Sequence, residues 1–587
     1  MAMESTADDK LGNTRHTLAH LLAAAIKELY PQAKPTIGPA IDTGFYYDFD
    51  FSGGPMPGTD ELPAIQAKMI ELLPAWTGFE HTDISAPGAH TQFAGNPYKI
   101  ELIEGLEKEG ATITLYTCGG FTDLCRGGHA ENPARDIAPD SFLLDKVAGA
   151  YWRGDETKPM LTRIYGLAFS SKAELDAYIL QREEAIKRDH RKIAKEQGLL
   201  VFSDLVGSGM PMYTPKGNII RNAIIGYSRE LNDMLGFGEV HTPNVNKAEL
   251  FKISGHYDAY KEDMLSVRSQ YVSDEMFLKP MNCPQHTQIY ASAPRSYRDL
   301  PVRFSDFANL YRDERPGQLS GLTRLRAFAQ DDGHIFCRED QIESEISSVL
   351  SAIQEALKTY KIDYWMRLSL RGADNDEKYL GDPAAWERAQ AIMRSLLKEK
   401  NIEHKEAEGE AAFYGPKIDI MAVDAIGRQW QISTIQLDFI QPARFQLEYT
   451  AEDGSKKMPV MIHRALIGSP DRFLGILIEH YAGAFPLWLA PVHAKVLPVS
   501  EKQTEYSEDI VRQLKDVGIR AELSDGDSLG KRIRAAKVEK VPYLLVVGDQ
   551  EIADNTATLE GRGGKVGALS VADIITRLQE EIKTRAV

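Results

Sequence analysis

Cysteine is scarce in this chain: four residues, Cys118, Cys125, Cys283 and Cys337, in 587. That number excludes a disulfide framework and fits a reducing cytosol, where cysteine serves metal binding or catalysis. Long apolar runs are missing too. No stretch approaches eighteen apolar residues, so no membrane partner is expected, and MAMESTADDK is too polar for a signal peptide. Positive charge is in deficit, with 68 Lys and Arg against 85 Asp and Glu, a net charge of −17. A bulk polyanion repels nucleic acid, so any such partner must be held by local basic patches. Internal repeats and low-complexity tracts are also absent. At 43% apolar and 26% charged the composition is that of a globular protein, and the length suits two to four domains.

The overall expectation is an α+β multidomain protein. In TRHTLAHLLAAAIKELY (14–30), Leu18, Leu21, Leu22, Ala25, Ile26 and Leu29 recur at helical spacing. GPAIDTGFYYDFDF alternates like a strand, and ATITLYTCGGFTDLCRGGH reads as short strands and glycine turns. This α+β region closes near residue 170. Residues 171–197 hold neither Pro nor Gly and carry Arg182, Lys187, Arg188, Arg191, Lys192 and Lys195 in one charge run, which predicts one long solvated linker helix. A solvated face is the ordinary reading of such a run, but its sign opposes the global charge and admits an anionic partner. Residues 198–489 carry short strands meeting at turns, which predicts a large antiparallel sheet with helices packed on it. From HAKVLPVS (493–500) strands and helices alternate, predicting a compact α/β domain over 490–587 with a mostly parallel sheet.

The stretch LKPMNCPQHTQ sets Cys283 between an asparagine and a proline. A nucleophile would want a base, and only His286 is near in sequence. A metal site would want remote ligands such as His334 and His463. The third reading, a small buried hydrophobe in a turn, is the commonplace one. Spacing leaves all three open. HTLAH places His16 and His20 one helical turn apart, and CRGGH adds Cys125 and His129; together they make a plausible four-ligand set.

The wider sequence narrows this. RDERPGQLSGLTRLRAFAQDDGHIF has Arg-x-Glu, a variable loop, then Arg-x-Phe, and IHRALIGSPDRF sets an Arg four residues after a Gly. These resemble motifs 2 and 3 of class II aminoacyl-tRNA synthetases. With MNCP, FYGPKID and WQISTIQLDF in order, the chain is similar to the threonyl-tRNA synthetase family from about residue 10 to its end. That family usually starts with a further small N-terminal domain, which this chain is expected to lack.

The resemblance implies an N-terminal editing domain (1–170), a linker helix (171–197), a class II catalytic domain (198–489) and an anticodon-binding domain (490–587). It implies ligation of L-threonine to tRNA(Thr) through a threonyl-adenylate by a cytoplasmic homodimer whose interface includes residues 218–237. Cys283, His334 and His463 would hold one Zn2+ per subunit, with an open position for the amino group and hydroxyl of threonine. Valine, lacking the hydroxyl, would be rejected. Asp332 would orient the hydroxyl, with Gln330 and Tyr414 near the amino group. On the ATP side, with Mg2+ bridging phosphates, Arg312 would hold the α-phosphate and Arg472 the γ-phosphate, assisted by Arg324. Glu314 would contact adenine, Phe328 would stack on it, and Lys417 and Gln431 would line the pocket. Serine keeps the hydroxyl and loses only a methyl, worth about 1–3 kcal/mol. A second, hydrolytic site is therefore needed, and the resemblance puts it at His16, His20, Lys99, Asp123, Cys125 and His129, working without a metal. Gly128 departs from the family's Pro in CRGPH. In SLGKRIRAAKVEK, Lys531, Arg532 and Arg534, with Glu551 further on, would meet tRNA. Glu560 and Arg562 stand near the place of an anticodon-reading Arg. Prolyl or seryl specificity, and a regulatory RNA-binding relative without catalysis, are the competing readings; the cysteine–histidine set and the arginines argue against them.

Overall fold

The computed structural model describes residues 7–372 and 378–587. They form two compact units, one ending at Glu183 and the other starting at Glu184. In the first, helix Ala7–Leu29 buries Leu18, Leu21, Leu22, Ala25 and Ile26 completely. It packs on an antiparallel sheet whose longest strands are Gly44–Asp50, Met160–Ala168 and Phe142–Tyr151, the last at an edge. The aromatic alternation seen in the sequence becomes the buried row Phe45, Tyr47 and Phe49. A second, three-stranded sheet holds Glu80–Asp83, Thr114–Cys118 and Phe121–Leu124.

The linker is not one helix. It divides into Lys172–Lys187 and His190–Glu196. Asp189 leaves the helical conformation and its side chain accepts from the Arg191 N–H, a capping arrangement that starts a new helix. Burial of His190, Ile193 and Ala194 rewards the break. The linker's charges are largely used within the chain. Arg182 pairs with Asp145, Lys187 with Glu184 and Arg191 with Asp189, while Arg188 donates to the carbonyl of His480. Lys192 and Lys195 are the exposed remainder.

The second unit is built on an eight-stranded sheet. Its order is Gly238–Glu239, Val302–Asp306, Asp332–Cys337, Val460–Ala465, Gln429–Asp438, Lys417–Val423, Asp363–Leu370 and His404–Glu408. All neighbours are antiparallel except the two outermost pairs. Helices Pro215–Met234, Ile342–Thr359 and Pro470–His480 cover it and share one core with the sheet. Residues 493–584 add a five-stranded sheet, and here the expectation needs correcting. Only Ala521–Leu523, Ala494–Pro498 and Tyr543–Val547 are mutually parallel; Thr556–Gly561 and Gly564–Ser570 add two antiparallel pairings. The cause is the GRGG turn: two residues, Arg562 and Gly563, join the last strands as a hairpin, and Gly564 takes φ +123.

Candidate active site

Two strands and one helix start bring the Cys283 set together. Cys283 opens helix Cys283–Ala291, with Pro284 in the first turn, where a missing N–H costs nothing. His334 and His463 lie directly opposite each other on neighbouring antiparallel strands. The three ligand atoms lie within 4.8 Å of one another and all three residues are buried. His334 Nε2 and His463 Nδ1 are 3.0 Å apart. The second nitrogen of each ring is engaged: His463 Nε2 donates to Asp438 across 2.9 Å, and His334 Nδ1 meets His286 Nδ1 at 2.7 Å. Two imidazoles and one thiol with a carboxylate behind a ring fit a tetrahedral zinc, whose nitrogens stand roughly 3.3 Å apart. Burial, and then the charge of Asp332, push the Cys283 thiol well above its usual range, so it requires a cation beside it to ionise. Asp438 and His256, whose Nε2 is 3.6 Å from the Cys283 sulfur, are not legible in sequence; no spacing links them to the set. His286, the only base near Cys283 in sequence, contacts His334 instead.

The same cavity, about 550 Å³, is also lined by Arg312, Glu314, Arg324, Phe328 and Arg472, and by Gln330, Asp332, Tyr414 and Gln431. Arg312 and Phe328 come from a hairpin, strands Asn309–Tyr311 and Ala327–Ala329, and the guanidinium lies 5.2 Å from the ring centroid. Glu314 pairs with Arg324 at 2.8 Å. Arg472 stands in the first turn of helix Pro470–His480, which Ser469 caps. The adjacent Asp471 fixes this helix start by accepting from Tyr213 (2.6 Å), Arg221 (2.8 Å) and the Ala329 N–H (2.6 Å). Among the described residues neither Arg312 nor Arg472 has a carboxylate partner, and burial depresses both. Unpaired, half-buried guanidinium groups converging on a cavity suit an anionic ligand. Tyr414 stacks on His463 at 4.7 Å. Lys417 departs from its expected place: it is tied to buried Asp419 one layer behind the wall, where it supports Gln431, whose amide donates to the same carboxylate at 2.7 Å.

The first unit also gathers its six candidates. Lys99 Nζ reaches Asp123 Oδ1 at 2.5 Å, and His20 Nδ1 is 3.2 Å from Oδ2. His20 Nε2 is 3.2 Å from His16 Nε2, which is 3.0 Å from the Cys125 sulfur; His129 Nε2 lies 3.4 Å from that sulfur. Gly128 adopts φ +85, a conformation proline cannot take, so the CRGGH turn is built differently from a Pro-containing one. Burial opposes charge on His20, yet hydrogen bonds to Asp123 and Cys125 raise it to about 9. Burial likewise opposes the Cys125 thiolate, and His129, His16 and His20 outweigh it, lowering the thiol to about 4. Asp123 is held well below the usual carboxylate range, against burial, by Lys99 and His20. Tyr47, which donates to Asp123 at 2.6 Å, is a member that the sequence does not flag.

The basic stripe in the last domain resolves into two kinds of residue. Lys531 and Arg534 are exposed. Arg532 is not: it is 8% exposed, and its guanidinium donates to the carbonyls of Asp527, Ser524 and Pro498. Glu551 accepts from the Gly548 N–H and the Thr558 hydroxyl. Arg562 donates to the carbonyls of Lys540 and Phe485, and Glu560 pairs with Lys537.

Residues 266–481 match the family described as tRNA synthetase class II core domain (G, H, P, S and T), and residues 493–581 match Anticodon binding domain. A threonine–tRNA ligase of Gloeobacter violaceus is 44% identical over 98% of this chain and 93% of its own length. The ligase of Thermus thermophilus is also 44% identical, over 97% and 88%. The chain belongs to the threonine–tRNA ligase family. Its reaction is aminoacylation of tRNA(Thr). A solved RNA binding domain of threonyl-tRNA synthetase from Cryptosporidium parvum, 36% identical, superposes with a TM-score of 0.64 over 67% of this chain and 98% of that one. No helix among the described residues is long and apolar enough to cross a membrane.

Proposed function

We propose that the cavity in the second unit activates L-threonine with ATP and that the cluster in the first unit hydrolyses seryl-tRNA(Thr). The observation that carries the first half is the presence of Arg312 and Arg472, neither ion-paired to a carboxylate among the described residues, with Cys283, His334 and His463 in one cavity. Adenylation is an in-line attack of one anion on another, so fixed positive charge must line the phosphates. Arg312 and Arg472 supply it, with Arg324, held by Glu314, at the rim; Mg2+ would accompany ATP. Cys283, His334 and His463 would hold zinc, which when bound supplies a Lewis acid for the amino group and hydroxyl of threonine. Asp332 and Tyr414 orient those groups, and Gln330 and Gln431 complete the wall.

In the first unit, Lys99 and His20 flank Asp123, and Cys125 with three histidines forms a polar pocket able to hold a water against an ester. A tetrahedral metal on His16, His20, Cys125 and His129 is a second reading that their convergence within 4.8 Å favours. Metal analysis separates the two: one zinc per chain supports the water mechanism, two support the metal. We assign residues 1–170 to editing, 171–197 to the linker, 198–489 to catalysis and 490–587 to anticodon binding. We further propose a cytoplasmic homodimer, with residues 218–237 at its interface, to be checked by light scattering.

Pyrophosphate exchange with threonine, serine, valine and proline side by side tests the synthetic site. Threonine should exchange fastest, serine detectably, valine and proline not. Arg312→Ala and Arg472→Ala should each lower exchange at least about 100-fold. Valine exchange equal to that of threonine would overturn the zinc-based selection.

A further inference from the structure

His190 belongs to none of the motifs above; it touches one of them and the helix that continues another. It opens helix His190–Glu196 and is 4% exposed. Its backbone N–H and its Nδ1 both meet Glu479 Oε1, at 3.1 and 2.6 Å. Its Nε2 lies 2.9 Å from the Leu322 N–H. An amide only donates, so Nε2 accepts, and the ring proton sits on Nδ1 facing the carboxylate. The imidazole is thus a neutral bridge with both nitrogens used.

Both ends of the bridge carry walls of the adenylation cavity. Glu479 is on the helix that carries Arg472, about two turns away. Leu322 lines the cavity beside Thr323 and Arg324. The fit between ring and loop is close. Gly321 has φ +49, and a Cβ there would come 2.1 Å from His190 Nε2. At Gly475, on the same helix as Glu479, a Cβ would stand 3.0 Å from Leu322 Cβ. The preceding Arg188 donates to the carbonyls of Glu479 and His480, so residues 188–190 grip the last turn of that helix.

We propose that His190 is a positioning residue for adenylation: it locks the 320–325 loop, which bears Arg324, against the helix that bears Arg472, and so ties the shape of the ATP site to the linker. The inference rests on the reading of the wall that carries Arg324 and Arg472 as part of the ATP site. It gives the linker a task beyond spacing. Any displacement of residues 188–190 reaches the ATP wall through one ring.

Two substitutions divide the bridge. In His190→Gln the amide oxygen can replace Nε2 and still accept from Leu322. In His190→Asn the shorter amide can replace only Nδ1 and keeps Glu479 alone. Each loses one hydrogen bond, so a merely structural role would move both variants alike. The measurement is pyrophosphate exchange by the full chain, with KM for ATP and for threonine determined separately. His190→Asn should raise KM for ATP about three- to tenfold, the worth of one hydrogen bond, with KM for threonine within about twofold of wild type. His190→Gln should recover most of the difference. Gly321→Ala, which keeps His190 and pushes the loop off it, should reproduce the Asn effect and serves if His190→Asn does not fold. Equal ATP KM in the Asn and Gln variants, parallel rises for threonine and ATP, or an unchanged ATP KM in Gly321→Ala would each overturn the proposal. Threonine-dependent exchange by wild type stands or falls independently of these outcomes, so the reading of the cavity is tested apart from the role of His190.

Discussion

His463 and Asp438 form a buried pair, Nε2 to Oδ2 at 2.9 Å, and the other carboxylate oxygen accepts the N–H groups of Ile440 and Gln441. The ring is therefore fixed with Nδ1 toward Cys283 and His334. Asp438→Asn should weaken zinc binding about 10- to 100-fold while leaving the site able to fill at high zinc. Cys283→Ser should abolish stoichiometric zinc and threonine activation. Competition with a chromophoric chelator reads both. Affinity in Asp438→Asn equal to wild type would mean that the carboxylate does not orient the ring.

The Cys125 cluster makes a prediction in pH. With the thiol lowered to about 4 and His20 raised to about 9, thiolate and imidazolium coexist between those values. His20 lies above its ordinary 6.5, so its stabilisation is complete below 6.5 and fades as pH rises through about 9. Cys125 lies below its ordinary 9.0, so its stabilisation is complete above 9.0 and fades as pH falls toward about 4. Between 6.5 and 9.0 the two trends oppose. Alkylation of Cys125 by iodoacetamide in the native chain should be nearly constant from about pH 5 to 8, whereas an ordinary thiol gains roughly tenfold per unit. The other three cysteines are buried and should react far more slowly. A native rate that climbs tenfold per unit would show a protonated thiol.

Editing should separate cleanly from activation. Changing His20 and Cys125 to Ala should leave threonine-dependent exchange within about twofold, because the two sites share no residue and lie in different compact units. Deacylation of pre-formed seryl-tRNA(Thr) should fall by roughly 100-fold or more, the scale of lost acid–base catalysis. Equal deacylation by wild type and double mutant would remove the cluster from editing.

The C-terminal stripe should divide by exposure. Replacing Lys531, Arg534 and Lys537 with Ala should flatten the salt dependence of tRNA binding, by up to about 0.9 in log–log slope for each phosphate no longer neutralised, with little change in melting temperature. Arg532→Ala should instead destabilise the domain by about 3 kcal/mol, since one guanidinium serves three carbonyls. An unchanged salt slope in the triple variant would make the stripe a solvated face.

Much of the cavity is legible because its residues sit in short ordered motifs whose chemistry is local: Arg312 and Glu314, Arg324 and Phe328, Arg472 behind its Gly. Cys283, His334 and His463 are far apart in sequence, and only the family resemblance joins them as one set. What stays hidden is pairing decided by three-dimensional packing. Arg532 and Arg534 look equivalent on paper, yet one side of their helix faces backbone carbonyls and the other faces water. Lys417 is expected in the wall and serves behind it because Asp419, two residues on along the same strand, points the same way. The linker helix comes out too long because composition gives no weight to Asp189 as a cap or to the core waiting for His190 and Ile193. The last sheet comes out too parallel because composition does not mark the GRGG hairpin as a reversal.

His334 and His463 face each other across one register of two strands that are 129 residues apart in sequence. A slip of one residue in either strand would send its histidine to the opposite face of the sheet. The Cys283–His334–His463 arrangement therefore cannot exist in any partly folded chain that lacks this long-range pairing, and pairings of that sequence separation form slowly. Appearance of the three-ligand site during refolding is a clock for closure of the central sheet, and zinc uptake followed with a fluorescent indicator should lag behind helix formation and rise together with burial of the core.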